Sequence, residues 1–313
     1  MKPEVMVLGA TGFLGAHVAR ALDRRGYPVH GTRRESSPTE HVADVDVEWH
    51  RADLDVEGAI DGPLEACQAV IDCAGYVPRK ALEIDAAKRR GVGRLRRVFE
   101  ACERADIGRI VFVSSPTTLG SEPGDGGGLL DESDFYVPGS VEDAYFEAKF
   151  SMEAEIYRYI DAGTPAVIAI PGAVFGPGDV KPATGEFLVR LAAGQIPALV
   201  EGTFNAVDVR DVAEVLVAAL QKGRPGRRYV IGGENVEIRR FARMAAELCD
   251  VEPPTRRVPG EPTRRVAKWV ERVSRSVGYD GDSPLIGFDM MYYARPMTSE
   301  RAENELGHDP RSL

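Results

Sequence analysis

The chain opens on Val5-Met6-Val7-Leu8, four apolar residues in a row, which predicts a strand buried on both faces. Short runs of similar character follow at Val29–Thr32, Ala69–Cys73, Arg109–Val113 and Ala166–Ile170. Between them the spacing turns helical, over Gly15–Arg25, about Gly93–Ala105 and Tyr145–Ile160. Near-continuous apolar strands separated by helices predict a parallel sheet covered on both faces, with right-handed crossovers. After Pro171 the alternation loosens. Gly176-Pro177-Gly178-Asp179 reads as a turn, Phe187–Ala193 as a short helix and Asn205–Val209 as a strand leading into a helix at Val212–Leu220. Arg228–Ile231 returns as a strand, and the tail from about Ile238 is helical with basic patches. No internal repeat is visible.

Composition narrows the class. Of 313 residues, 43% are hydrophobic and 28% charged, the balance of a globular protein in water. A formal net charge of −10 disfavours nucleic acid and anionic membranes as partners. The longest apolar run, Ala166–Phe175, is interrupted by Pro171 and Gly172 and falls far short of the roughly 20 residues that span a bilayer. With an apolar strand starting at Val5, no signal peptide is expected. Cys67, Cys73, Cys102 and Cys249 make no Cys-x-x-Cys pair, and the five histidines are scattered. No metal site is therefore expected, and a reducing, cytoplasmic setting is.

The sharpest local signal is Gly9-Ala10-Thr11-Gly12-Phe13-Leu14-Gly15, directly after the first strand and opening a helix. Such a turn uses glycine for tightness, for backbone access to a pyrophosphate and for close helix–strand packing. The phosphates then rest on a helix N-terminus, where free N–H groups and the dipole favour anions. The spacing is GxxGxxG rather than GxGxxG. An NAD-type site puts an acid roughly 20 residues beyond the last glycine to hold the ribose 2′-hydroxyl. That window holds Arg33, Arg34 and Glu35. Two guanidinium groups suit a 2′-phosphate, so NADP(H) is favoured; NAD(H), with Glu35 on the ribose and a solvated basic loop, stays open. Downstream, Arg51-Ala52-Asp53-Leu54 closes a third strand. Asp53 and Leu54 are assigned to the adenine end, with Asp53 accepting from the amino group or lying on the surface instead.

Tyr145 and Lys149, one helical turn apart, share a face. A phenol is a weak acid in water, with a pKa of about 10, and an ammonium group beside it favours its anion. That pair suits general acid–base work, and Lys149 also suits the ribose next to the nicotinamide. Ser115 lies at the C-terminal end of the strand Arg109–Val113, the end where ligands bind in a doubly wound sheet. Its hydroxyl suits a carbonyl or a developing alkoxide.

These motifs, together with Ile170-Pro171-Gly172-Ala173-Val174-Phe175-Gly176-Pro177-Gly178-Asp179 and Val207-Asp208-Val209-Arg210-Asp211, resemble an extended short-chain dehydrogenase/reductase of the NAD-dependent epimerase/dehydratase superfamily. The match runs in order over nearly the whole chain. Gly178–Gly185, Gly194–Ala198, Tyr229–Asn235 and Glu305–Pro310 carry a finer likeness to the dihydroflavonol 4-reductase-like, hopanoid-associated branch. The resemblance implies an α/β fold, a doubly wound parallel sheet (Rossmann) with a smaller C-terminal substrate lobe. Residues 1–172 and 205–234 would bind NAD(P), and 173–204 and 235–313 would form the lobe. It further implies a Ser115–Tyr145–Lys149 site for a carbonyl/alcohol pair, Pro171, Gly172, Ala173 and Val174 along the nicotinamide, and often a homodimer. Ala74 and Gly75, in the loop after the fourth strand, are counted with the cofactor residues. Two departures stand out. Gly91 occupies the place of an Asn usual at the start of the helix before the Ser115 strand, and Ile170 that of an Arg common in nucleotide-sugar enzymes.

The expected activity is NADP(H)-dependent reduction of a ketone or aldehyde, or the reverse oxidation. The alternatives are an epimerase or dehydratase holding NAD tightly, and a non-catalytic NADP(H) sensor. Three signals are set aside. The glycine run at 124–128 reads as a flexible loop or mobile lid. Cys73 reads as a small core residue. The segment with Arg264, Arg265, Lys268, Arg272 and Arg275 beside Val266, Trp269, Val270 and Val273 reads as a helix packed by its apolar face with its basic face solvated, membrane-surface or acidic-substrate contact being the other option.

Overall fold

The computed structural model of the chain describes residues 2–120, 128–180, 184–276, 278 and 281–313. Of the glycine run at 124–128 only Gly128 is among them, so the lid expectation lies outside the described residues. In chain order the strands are β1 (Val5–Leu8), β2 (Val29–Arg33), β3 (Val47–Arg51), β4 (Ala69–Asp72), β5 (Arg109–Val113), β6 (Ala166–Pro171), β7 (Ala173–Phe175), β8 (Thr203–Asp208), β9 (Arg228–Ile231) and β10 (Glu234–Glu237). The helices are α1 (Phe13–Arg24), α2 (Asp61–Leu64), α3 (Ile84–Arg104), α4 (Ala144–Asp161), α5 (Glu186–Ala192), α6 (Val209–Lys222), α7 (Ile238–Leu248), α8 (Gly260–Ser276), α9 (Pro284–Tyr292) and α10 (Glu300–Leu306).

Seven strands form one parallel sheet in the order β3-β2-β1-β4-β5-β6-β9. Alternation along β1 sorts the two cores. Val5 and Val7 face the layer holding α1 and α6, whereas Met6 and Leu8 face the layer holding α3 and α4. The chain winds outward from β1 to β3 and then returns to β4 on β1's other side. That reversal opens a crevice at the C-terminal ends of β1 and β4, where ligands bind in such sheets.

Three expectations need correction. Helix α3 starts at Ile84, not near Gly93, so Gly91 lies inside it rather than at its start. Glycine in a helix costs about 1 kcal/mol against alanine, which is why the helical signal starts only after it. Tertiary packing overrides that cost here. A Cβ on Gly91 would stand 3.0 Å from Met152 Sδ and 3.2 Å from Tyr76 Cδ1, so the missing side chain lets α3 close on α4.

The second correction is a small sheet, β10-β8-β7, of which only β8 was expected. It pairs β7 parallel and β10 antiparallel to β8. With three residues in one strand and Glu-Asn-Val-Glu in the other, neither flank carries a strand signal.

The third concerns α8. Its predicted inward apolar face is turned out, with Trp269 64% and Val266 62% exposed. Arg264 and Lys268, expected in solvent, point inward instead. Arg264 forms a bidentate pair with the fully buried Asp289 at 2.8 and 2.9 Å, and Lys268 Nζ meets Glu142 at 2.6 Å. Arg265 and Arg272 remain exposed as expected, and the side chain of Arg275 is outside the described residues. Among the described residues no helix is long and apolar enough to cross a membrane.

Candidate active site

The turn after β1 is built for the absence of side chains. Gly9 sits at φ +75°, and a Cβ on Gly15 would overlap the Gly9 carbonyl oxygen. Gly12 N–H donates to Gly9 O at 2.8 Å, closing the turn, and Gly12 begins α1 with no side-chain cap and no acid in the first turn. The first helical amides, at Phe13 and Leu14, are thus left for an anion. Gly12 is exposed; Thr11, Phe13 and Leu14 are half-buried. Ala74 closes one side, 3.1 Å from where a Gly9 Cβ would stand. A side-chain-free cradle against an uncapped helix N-terminus fits the pyrophosphate of a dinucleotide.

At the adenine end, Arg33 closes β2 in register with Arg51, which closes β3. Glu35 pairs with Arg51 at 3.3 Å, both side chains being exposed. Among the described residues neither Arg33 nor Arg34 forms an ion pair with an acid, so both guanidinium groups are free for a ligand. Asp53 is exposed, and its carboxylate accepts the N–H of Asp55 at 3.0 Å; Leu54 is buried in the core beside Ala52.

The catalytic candidates meet at the ends of β5 and α4. Ser115 caps a 3-10 turn at Pro116–Thr118, and its Oγ accepts from Thr117 N–H at 3.3 Å and from Thr117 Oγ1 at 3.0 Å. Tyr145 O–H donates to the same oxygen at 3.3 Å. One turn along α4, Lys149 Nζ lies 5.7 Å from the Tyr145 ring centre. A Cβ on Gly75 would be 3.3 Å from that amine, so Lys149 reaches the loop after β4. All three side chains are buried. Ser115, Tyr145, Lys149, Gly75, Ala74 and Gly9 therefore form one continuous line across the crevice. Behind Ala74, Asp72 accepts its N–H at 2.9 Å, and burial raises this carboxyl against the pull of Lys149. Burial also holds the Cys73 thiol well above its ordinary range, which suits a core residue and not a nucleophile.

The remaining wall comes from β6, β7 and the tail. Gly172 N–H donates to Ile231 O at 3.0 Å, and a Cβ there would strike Asn205 Oδ1 at 2.7 Å. Ala173 and Val174 pair with Ala206 and Val207. Ile170 is fully buried, so that position offers no cation to a diphosphate. Tyr145 also packs among Val141, Phe146, Leu285 and Ile286, which makes the outer flank of the site apolar.

Several supporting residues escaped the sequence reading. Thr117 orients Ser115. Asn205 accepts from Gly233 N–H at 2.7 Å and donates to Asn235 at 2.9 Å, fixing the strands under Gly172. Ser114 donates to Glu153 at 2.6 Å, and Glu153 pairs with the buried Arg228 at 2.8 Å. The only available signal was the Ser-Pro-Thr capping pattern at Ser115–Thr117; the other partners are distant in sequence.

Asp143 caps α4, accepting Tyr145 N–H at 2.7 Å, while its Oδ2 is buried with no hydrogen-bond partner. Burial, reinforced by Asp289, pushes its carboxyl up to about 7 from an ordinary 3.8. A folded value above the unfolded one means stability is full below the unfolded value and is lost as pH rises through about 7. The urea midpoint should therefore fall between about pH 4 and about pH 7, and Asp143→Asn, which keeps the cap oxygen, should flatten that fall. An unchanged pH profile in the variant would remove Asp143 as its source.

Comparison with known proteins identifies the family. Residues 5–232 match the NAD dependent epimerase/dehydratase family. A Synechocystis sp. protein named for dihydroflavonol 4-reductase is 30% identical over 98% of this chain and 90% of its own length. Sterol demethylase protein B of Methylococcus capsulatus is 27% identical over 98% of this chain and 94% of its own. A solved nucleoside-diphosphate-sugar epimerase from Pseudomonas aeruginosa superposes with a TM-score of 0.83 at 25% identity, covering 100% of this chain and 94% of that one. With its seven-stranded parallel sheet, its glycine turn and a family match over most of its length, the chain belongs to the NAD-dependent epimerase/dehydratase family of extended short-chain dehydrogenase/reductase enzymes.

Proposed function

We propose that the chain is an NADP(H)-dependent oxidoreductase interconverting a ketone or aldehyde and its alcohol, with Ser115, Tyr145 and Lys149 handling the oxygen and its proton. The observation that carries this is the unbroken line from the Tyr145 hydroxyl through Lys149 to Gly75 and the glycine turn. A nicotinamide dinucleotide, which the glycine turn, Arg33 and Arg34 would hold, would supply the hydride for reduction of the carbonyl carbon and accept it in the reverse oxidation. Tyr145 passes its phenolic proton to the carbonyl oxygen. Lys149, as an ammonium, favours the phenolate left behind and donates to the neighbouring ribose. Ser115 Oγ has Thr117 and Tyr145 as donors for its two lone pairs, which leaves its own hydrogen to bond the substrate oxygen. The apolar flank of Leu285 and Ile286 suits a hydrocarbon or aromatic body beside that oxygen. The relatives named for dihydroflavonol and sterol chemistry point the same way.

Arg33 and Arg34 support NADP(H). Replacing both with Ala should weaken NADPH binding on the order of 10- to 100-fold, as expected for losing a charged hydrogen bond or two, and leave NADH binding nearly unchanged. Titration of NADPH fluorescence reads this. Equal affinity for NADH and NADPH in the wild type would reassign the cofactor to NAD(H).

The likeness to the Pseudomonas epimerase favours a second reading, a nucleotide-sugar epimerase or dehydratase. Such an enzyme regenerates its NAD each cycle, so purified protein carrying one NAD per chain supports it. Cofactor-free protein that oxidises NADPH with carbonyl compounds supports the reductase.

A further inference from the structure

β2 and β3 pair in parallel with His30 opposite Glu48 and Thr32 opposite His50. Residues two apart on a strand share a face, so His30, Glu48 and His50 rise together at the outer edge of the sheet. His30 is buried, Glu48 exposed and His50 in between, so the cluster opens to solvent on one side. His30 Nδ1 and His50 Nε2 stand 2.9 Å apart, their rings nearly parallel at 10°. Glu48 sets one carboxylate oxygen 3.8 Å from His30 Nδ1 and the other 3.8 Å from His50 Nε2. The three ligand atoms lie within 4.8 Å of one another. In a tetrahedral zinc site with bonds of about 2.0–2.2 Å, ligand atoms lie roughly 3.3–3.5 Å apart, midway between the spacings found here.

A second feature points to a metal. His30 Nε2 faces Glu4 Oε2 at 2.8 Å. That contact holds the proton on Nε2 and leaves the Nδ1 lone pair aimed into the cluster, the carboxylate–histidine arrangement that orients metal-bound imidazoles. Glu4 and Glu48 together balance the charge of a divalent ion.

We propose that His30, His50 and Glu48 form a binding site for a divalent transition metal of the zinc class, completed by water and separate from the redox site. Without the ion, the His50 Nε2 proton fills the gap by donating to His30 Nδ1. With it, the ion takes that place and His50 carries its proton on Nδ1. The bound ion cross-links β2 to β3, the outermost pair of the sheet. The expectation of no metal site arose because 20 residues separate the two histidines, and only strand pairing brings them together.

Titrating the full chain with Zn²⁺ by calorimetry tests this, in a Cys249→Ser background that removes the exposed thiol. The expected result is one Zn²⁺ per chain, a rise in Tm with the ion, and the visible bands of four-coordinate Co²⁺ when cobalt replaces zinc. His50→Gln should abolish the bands and weaken binding at least about tenfold, and Glu4→Gln should weaken it about 10- to 100-fold with the bands retained. NADPH binding should be unchanged in both. Glu48→Gln, on an exposed side chain, serves where His50→Gln fails to fold. Absence of saturable Zn²⁺ binding, or binding that survives both His50→Gln and Glu48→Gln, overturns the proposal.

Discussion

Tyr145→Phe should lower turnover about 10²- to 10⁴-fold while leaving NADPH affinity where it was, the usual effect of removing a positioned general acid. The variant loses one atom. Its ring still packs among Val141, Phe146, Leu285 and Ile286, and Asp143 still caps the helix beneath it. The lost hydrogen bond to Ser115, at 3.3 Å, is long, so the stability change should stay near or below about 1 kcal/mol. A fall in kcat with fluorescence-measured NADPH binding intact distinguishes proton transfer from damage to the fold. Lys149→Met should behave differently, weakening both steps, because that amine serves the phenol and the ribose together. If Tyr145→Phe turns over normally, the proton comes from elsewhere.

The largest loss of stability should come from Arg228→Met. Arg228 is almost fully buried, and its Nε pairs with Glu153 at 2.8 Å. Its Nη1 donates to Asp134 O at 2.7 Å and its Nη2 to Thr118 O at 3.1 Å. The guanidinium lies 4.3 Å from the Phe135 ring centre. Removing it strands the Glu153 carboxylate in the core with Ser114 as its remaining partner, and breaking such a pair costs about 3–5 kcal/mol. Urea unfolding should show that drop with an unchanged slope. The double variant Arg228→Met/Glu153→Leu should recover much of it, since no charge is then buried unpaired. The same network holds Ser114 against α4, so the single variant should also turn over more slowly as Ser115 loses its fixed position relative to Tyr145. A single variant as stable as wild type would show that water reaches Glu153.

What could be read from the sequence was local. The central strands of the large sheet, β1, β4, β5 and β6, announce themselves as apolar runs, and the glycine turn is a seven-residue pattern whose chemistry depends only on its neighbours. Tyr145 and Lys149 are one helical turn apart, so their shared face follows from helix geometry alone. Features that depend on distant pairing were not legible. β7 and β10 become strands only because β8 lies between them. α8 looks like a helix with a buried apolar face, yet Asp289 and Glu142 draw its Arg264 and Lys268 inward and turn Trp269 out. Nothing near those arginines and lysines in the sequence names their partners. Gly91 misled for the same reason, since the group that requires its bare backbone is Met152 on another helix. The Ser114–Glu153–Arg228 network and the His30–His50 pair likewise join residues separated by whole secondary-structure elements.

A crystal structure of the protein with NADP⁺ bound decides whether the glycine turn and the Tyr145–Lys149 pair serve one dinucleotide. The expected structure has a pyrophosphate on the amides at the start of α1, the adenosine 2′-phosphate beside Arg33 and Arg34, and Lys149 Nζ within about 3 Å of a nicotinamide-ribose hydroxyl. A dinucleotide seated away from the glycine turn, or a nicotinamide out of reach of Tyr145 and Lys149, would contradict it.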